Sequence, residues 1–460
     1  MENNNKLKKY LKQNKILILI LLVSFGLSFF YSFHFRIKPQ VDAQAYDSIG
    51  FNIAQGYGYR QTVGSDFTQD TSITRVGPLY EYFLAGIYKI FGHHYEPVWI
   101  VQAVMHALSI WFVYLTALLI FSNFASKRRI GLWAAAILGF YPDLIEISAM
   151  VLTETLYIFL VCLIIYLFFL YFYKKTLWSL AGLALVAGLA VLARPPVLLF
   201  VPIILFFFYK NQQKEISVPF YKRKQVLHAV LFLLILIAVF TPWTIRNYVI
   251  YQKIMPFGAA GALNFWIGNY HNGNGEQEPT KEQADFQGSH SFGEIQDESL
   301  RQFKIFLQKY PAEFIKLTFL RVNKYFSIIR PMGFWFYQKG LGQFIFILSS
   351  ALSSIILFIT GFGGLIKSIK LKNQAVYYLF AFLITTPLFV FVTVVETRYR
   401  FQIYPILAIF AGFFIVHLIE KRKFWLDRIL WTMIAVFFGN GLIDLLLSME
   451  RFKERLSRFL

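Results

Sequence analysis

The chain has 460 residues, 57% of them hydrophobic, and a formal net charge of +20. A mean hydropathy of +0.53 excludes a soluble globular protein and a disordered chain. The single Cys162 excludes an intramolecular disulfide framework and reads as a small core residue inside an apolar helix.

Apolar runs of about 20 residues are long enough to cross a bilayer. They fall near residues 16–35, 98–122, 130–148, 150–173, 177–193, 197–209, 225–242, 342–366, 375–394, 402–419 and 428–447. They predict an all-α polytopic membrane protein, one integral-membrane domain over 1–460 with about eleven spans (10–13). Between the first two runs, an outer loop at 36–97 holds Asp42, Tyr46 and Asp47. It continues to Arg75-Val76-Gly77-Pro78-Leu79-Tyr80, which opens an interfacial helix reaching Gly92. A second outer loop, 244–340, is the most polar stretch. It contains Asn264-Phe265-Trp266-Ile267-Gly268-Asn269, a Gly/Asn turn at 272–275, and a helix from about Glu294 to Lys309 stopped by Tyr310-Pro311. The two loops predict a small extracytoplasmic cap on a helical base.

Basic residues set the orientation. Lys6, Lys8, Lys9, Lys12 and Lys15 precede the first run. Later clusters are Lys127-Arg128-Arg129, Lys174-Lys175, Lys222-Arg223-Lys224, Lys367 with Lys370 and Lys372, and Lys421-Arg422-Lys423. If the helices alternate, all share one side, which the positive-inside bias makes cytoplasmic. The net charge is then mostly topology, with some attraction to anionic membrane lipids, and no nucleic-acid partner is called for. The first run is of spanning length without a small-residue cleavage site, so it reads as an anchor. The run 428–447 would put Arg451, Lys453, Arg455 and Arg458 outside, against this bias, which leaves the side of residues 428–460 open.

Against the same bias, the outer helix ends carry Arg75, Arg194, Arg246, Arg398 and Arg400. One such arginine can simply snorkel to the interface. As a set they offer planar, permanently charged donor forks suited to phosphate oxygens. The acids have two readings each: Asp42 is placed to cap the run through Gly50 or to serve chemistry, as is Asp47. Glu154, at the outer start of an apolar helix, suits either the helix dipole or a functional site. Adjacent His93 and His94 lack the spacing of two metal ligands on one helix face. The sequence shows no cofactor requirement and does not support a divalent metal. A nucleotide-sugar donor is likewise unsupported, because no phosphate-binding Gly-rich loop and no Asp-x-Asp pair is present.

Taken in order, these motifs resemble the GT-C class of membrane glycosyltransferases, in particular the family of protein O-mannosyltransferases and lipid A aminoarabinose transferases. The resemblance covers about residues 16–419. It rests on Asp42-x-x-x-Tyr46, Arg75-x-Gly77-Pro78-Leu79-Tyr80, Thr153-Glu154, Ala193-Arg194-Pro195, Pro242-Trp243-Thr244-Ile245-Arg246-Asn247-Tyr248, the 264–269 segment, and Arg398-Tyr399-Arg400 with Pro405. It implies a GT-C-like bundle in a bacterial plasma membrane. The implied reaction is inverting transfer of a sugar from a polyprenyl-phosphate carrier to an outer-face acceptor, whether glycan, lipid or protein. Asp42 then matches the acid of the first outer loop, as base or acceptor-orienting group, with Asp47 and Glu154 as further candidates. Ala43-Gln44 follows Asp42 where protein mannosyltransferases often carry a second acid, so the acceptor is open.

The residue chemistry agrees with that expectation. Arg75, Arg194, Arg246, Arg398 and Arg400 are candidates for holding the donor phosphate. Tyr46, Tyr80, Trp266 and Tyr399 are candidates for packing on sugar or prenyl chain, and Asn247 and Asn269 for binding sugar hydroxyls. Rival readings are a transporter or flippase of lipid-linked glycans, and a polysaccharide polymerase or ligase. The first is disfavoured because polar residues gather at outer helix ends rather than at the midplane.

Overall fold

The computed structural model describes residues 2–75, 77–212, 218–258, 260–329, 338, 340–421 and 424–449. Among them the regular structure is helical. In chain order the helices are α1 (Glu2–Phe35), α2 (Asp42–Ala54), α3 (Leu79–Phe91), α4 (Tyr95–Ile120), α5 (Lys127–Gly139) and α6 (Pro142–Ser148). There follow α7 (Thr153–Lys174), α8 (Leu177–Ala193), α9 (Val201–Gln212), α10 (Lys224–Tyr251), α11 (Ala260–Gly268) and α12 (Lys281–Ser289). The last six are α13 (Phe292–Lys309), α14 (Pro311–Tyr325), α15 (Gly340–Ile369), α16 (Gln374–Val392), α17 (Tyr404–Glu420) and α18 (Arg428–Leu447). The C-terminal cations from Arg451 onward lie outside the described residues.

Nine helical stretches among the described residues are long and apolar enough to cross a membrane. The pair α5–α6, bent by 58°, makes a tenth, and the 17-residue α8 is a shorter apolar helix. This is the polytopic all-α bundle of an integral membrane protein, and its count agrees with the reading of about eleven. The apolar run 130–148 is not one helix, however. Pro142 opens α6 at a position where its missing N–H costs nothing, and Tyr141 beside it shares a hydrogen bond with Ser354 of α15 (2.6 Å).

α17 is apolar on all sides, as a helix must be at the centre of a bundle, and packs against α5, α15 and α4. α7 lies between α4 and α8. Arg129 at the start of α5 pairs with Glu420 at the end of α17 (2.6 Å), so two of the basic helix ends share a face. A cap meets α16 and α18 of this bundle through α14.

α11 to α14 form that cap. Thr280 with Gln283 and Ser291 with Glu294 close reciprocal capping boxes on α12 and α13. Pro311 both stops α13 and opens α14 as its first residue. The cap is fastened by Arg321 of α14, which is fully buried. Its guanidinium donates to the Phe391 carbonyl (2.9 Å), to Asn269 Oδ1 (2.7 Å) and to the Gly268 carbonyl. This joins α11 to the end of α16. Gly268 permits the contact, because a Cβ there would stand 1.9 Å from the Thr393 carbonyl oxygen.

Gly268→Ala should therefore push the cap off α16 and lower stability by about 1–3 kcal/mol, the usual cost of overpacking. The buried thiol of Cys162 reports unfolding, so thermal exposure of that thiol to a maleimide dye measures the effect. An unshifted midpoint would show that the close backbone approach is dispensable.

Candidate active site

A cavity of about 990 Å³ lies between the helix ends and the cap. Its charged wall is built from four separate places in the chain. The segment after α1 turns through Val41, whose φ of 52° is a region that β-branched residues rarely adopt, and Asp42 then opens α2. The expected cap is not made by Asp42: Val41 is the N-cap and provides no side-chain bond. The Asp42 carboxylate instead accepts from Arg398 Nη2 (2.8 Å) and Arg75 Nη1 (3.3 Å).

Arg194 is the extended residue that ends α8. It donates to Thr153 Oγ1 through Nε (3.1 Å) and Nη2 (2.9 Å), and pairs with Glu154 Oε1 at 2.5 Å. Thr153 and Glu154 open α7, so this fork ties one helix start to the neighbouring helix end. Gly77 brings the α3 segment onto the same spot, since a Cβ there would lie 2.2 Å from the Leu192 carbonyl oxygen. Arg398 completes the set. Its Nε bonds Glu396 Oε2 (2.6 Å) and lies 3.7 Å from Glu154 Oε1, while its Nη2 holds Asp42.

The electrostatics follow from these contacts. Burial alone would raise the Asp42 carboxyl, but Arg398, Arg75 and Arg194 outweigh it and hold the group below the ordinary carboxylate range. Asp42 is therefore ionised at neutral pH. Arg75 is steadied from its other side by Gln61 Oε1 (3.1 Å).

Of the residues read from sequence, Asp42, Tyr46, Arg75, Arg194, Arg398 and Tyr399 line the cavity. Glu154 does not; it is buried behind the arginines and holds them in place. The remainder lie elsewhere. Asp47 turns to the other side of α2, where it accepts from Tyr88 (2.6 Å) and Tyr95 (2.9 Å) and bonds His93 (2.8 Å). Arg246 lies over the Trp243 ring at 4.9 Å and donates to the Tyr59 carbonyl (3.2 Å). Arg400 points into the bundle, donating to the Ser327 carbonyl (2.7 Å). Tyr80 donates to Gln102 (2.8 Å) beneath the site and stands edge-on to Tyr46. Asn247 donates to the Met255 carbonyl (2.8 Å), and Asn269 to the Phe265 (2.8 Å) and Val392 (3.0 Å) carbonyls, so both fix backbone. Trp266 packs edge-on against Phe286 inside the cap.

Three kinds of lining residue escaped the sequence reading: Glu396, Lys38 and the cap glutamines Gln277, Gln287 and Gln296. Glu396 had a signal, as an acid two residues from Arg398 just past an apolar helix. Lys38 had one too, as a cation on the outer side of the first span. Among the described residues no group of three or more His, Cys, Asp or Glu side chains is arranged to hold a metal ion.

Comparison with known proteins places this geometry in context. Residues 75–243 match the family model described as dolichyl-phosphate-mannose-protein mannosyltransferase. No curated protein sequence matches the chain. In fold it is similar to the oligosaccharyltransferase of Archaeoglobus fulgidus in complex with Zn and sulfate, at a TM-score of 0.53 and 14% identity over 92% of this chain and 52% of that one. It is also similar to the oligosaccharyltransferase AglB of the same organism in complex with an inhibitory peptide and a dolichol-phosphate, at a TM-score of 0.52 and 13% identity over 95% and 55%. ArnT from Cupriavidus metallidurans, bound to undecaprenyl phosphate, aligns at a TM-score of 0.42 and 11% identity over 88% and 79%. The chain thus spans about half the length of the oligosaccharyltransferases it resembles. At these identities the likeness to the two oligosaccharyltransferases is one of fold, a bundle of the GT-C kind that the ordered motifs resembled.

Two predictions come from this geometry. Arg246→Ala should lower thermal stability, because Arg246 braces aromatic rings outside the cavity wall. An unaltered unfolding midpoint would show that this bracing is dispensable. Glu81 of α3 is fully buried, with Tyr59 donating to one oxygen (3.0 Å) and no partner for the other among the described residues. Burial pushes its carboxyl from 4.5 to about 8. The folded protein thus keeps a proton that the unfolded chain releases, and folding stability falls as pH rises from about 4.5 to about 8. Glu81→Gln should match wild type in unfolding midpoint at pH 4.5 and exceed it by a margin that grows to about pH 8. A margin independent of pH would mean that Glu81 does not hold that proton.

Proposed function

We propose that the chain is a GT-C glycosyltransferase that moves a sugar from a polyprenyl-phosphate carrier to an acceptor at the outer face of the membrane. One observation carries this reading: Arg75, Arg194 and Arg398 converge with ionised Asp42 on a single cavity. The family model over residues 75–243 and the dolichol-phosphate bound to AglB support the carrier class. The apolar lining of Pro195, Pro196, Leu198, Leu199 and Phe389 suits a prenyl chain approaching from the bilayer.

In the proposed step the acceptor oxygen attacks the anomeric carbon opposite the phosphate. The new C–O bond forms as the bond from that carbon to the phosphate oxygen breaks, and the bonding pair leaves with the phosphate. The arginines stabilise the charge gathering there. Asp42, held by two arginines, is a modest base. It accepts a hydrogen bond from the acceptor hydroxyl and takes the proton late, once bond formation has made that oxygen acidic. The outcome is inversion at the sugar carbon. The acceptor class is an envelope glycan, lipid or protein.

Orientation fits the same scheme. Site residues sit at the start of α7 and at or just beyond the ends of α1, α8 and α16. The Lys/Arg clusters fall at the start of α5 and α10 and at the ends of α7, α15 and α17. By the positive-inside bias the site then faces away from the cytoplasm.

Asp42→Asn should lower transfer from a polyprenyl-phosphate sugar by about 100-fold or more, with donor binding retained. Unchanged turnover in folded variant protein would remove Asp42 from the chemistry. Movement of the lipid-linked sugar across vesicles without transfer to any acceptor would favour the flippase reading instead.

A further inference from the structure

The cavity has two chemically different walls. Every charged side chain that lines it, namely Lys38, Asp42, Arg75, Arg194, Glu396 and Arg398, belongs to the membrane-side wall. The cap wall is drawn from residues 255–296 and has no charged member; its polar groups are the carboxamides of Asn264, Gln277, Gln287 and Gln296. Composition does not explain this. The stretch 252–300 holds nine charged residues: Lys253, Glu276, Glu278, Lys281, Glu282, Asp285, Glu294, Asp297 and Glu298. Several are immediate neighbours of the lining amides, yet they turn elsewhere. Glu276 pairs with Lys324 (2.6 Å), Asp297 with Lys253 (2.5 Å), and Glu278 accepts from Asn274 (2.8 Å). The amides remain for the cavity. Gln277 Oε1 accepts from Tyr399 (2.7 Å), and Gln287 Nε2 is buried without a partner among the described residues.

Resting on the glycosyltransferase reading above, we propose that the cap wall selects a donor whose sugar is neutral and hydroxyl-rich, and that Gln287 and Gln296 are specificity determinants. The prenyl chain and the sugar sit on opposite sides of the phosphate. With the phosphate on the arginine wall and the chain leaving past Pro195 and Leu199, the sugar faces the cap. Carboxamides both donate to and accept from hydroxyl groups. A sugar ammonium or carboxylate would be desolvated against a wall with no counter-ion, and an unpaired buried charge is strongly disfavoured.

The test is binding of a panel of polyprenyl monophosphates to the full-length protein in nanodiscs: the bare phosphate, a hexosyl ester, an amino-deoxypentosyl ester and a hexuronosyl ester. The hexosyl ester should bind at least about tenfold more tightly than either charged one. Gln287→Glu should tighten the amino-sugar donor and Gln296→Lys the uronosyl donor, each measured relative to the hexosyl ester on the same variant. Equal binding of charged and neutral donors, or variants that leave the ranking intact, would overturn the selectivity while leaving the carrier reading standing. Failure of the bare phosphate and of every ester to bind saturably would instead refute the carrier reading, and this proposal with it.

Discussion

The site depends on one shared guanidinium. Arg398 is nearly enclosed, and an enclosed charge persists only when it is paired and hydrogen-bonded. Its partners come from three distant parts of the chain: Asp42 at the start of α2, Glu154 at the start of α7, and Glu396 two residues before it. Satisfying this cation therefore brings the segment after α1, a core helix and the approach to α17 to one point. Arg194 extends the lattice through Glu154 and Thr153 to the end of α8, and Arg75 closes it through Asp42. Glycines at 77 and 268 allow the backbone to come close enough for these side chains to meet.

The bundle was legible because lipid demands long apolar runs, and those runs mark α1, α4, α7, α10 and α15 to α18 directly. The bend between α5 and α6 lies inside a stretch read as one apolar run, although Pro142, Asp143 and Glu146 mark its second half. Site residues were legible by type but not by direction. Asp42 and Asp47 are five positions apart on one helix, which at 100° per residue puts them about 140° apart around its axis. One faces the arginines and the other faces Tyr88, His93 and Tyr95. Arg398 and Arg400 lie on a short 3-10 turn, where two positions differ by about 120°, so one meets the cavity and the other enters the bundle. Nothing in a one-dimensional pattern states which face is which. The cap glutamines were invisible for another reason: a glutamine in a polar loop carries no charge or periodicity that would single it out.

The side chains of the site sum to nearly neutral. Arg75, Arg194 and Arg398 stand against Asp42, Glu154 and Glu396, three charges on each side. Lys38 is the added cation of the lining, exposed and without an ion pair among the described residues. This balance separates the roles of the arginines under the proposed chemistry. Arg194 is committed to Thr153 and Glu154 from behind and has little freedom to move. Arg398 and Arg75 share Asp42, so a phosphate that draws them away also loosens the carboxylate that must meet the acceptor.

That coupling bears on where the interaction energy is used. A donor phosphodiester carries one negative charge, and the released phosphate monoester carries about 1.5 to 2 near neutral pH. A site of uncompensated arginines would bind donor and product strongly in all states and gain little in rate, because only interactions that strengthen in the transition state accelerate the step. Arginines already paired with carboxylates interact weakly with the singly charged donor and more strongly as charge accumulates on the leaving oxygen. Under the proposed chemistry Arg398 and Arg75 exchange their Asp42 contact for a phosphate contact during the reaction, and Asp42 is released toward the acceptor as its proton becomes acidic. In the proposed step the ion pairs around Asp42 thereby couple leaving-group charge to acceptor deprotonation.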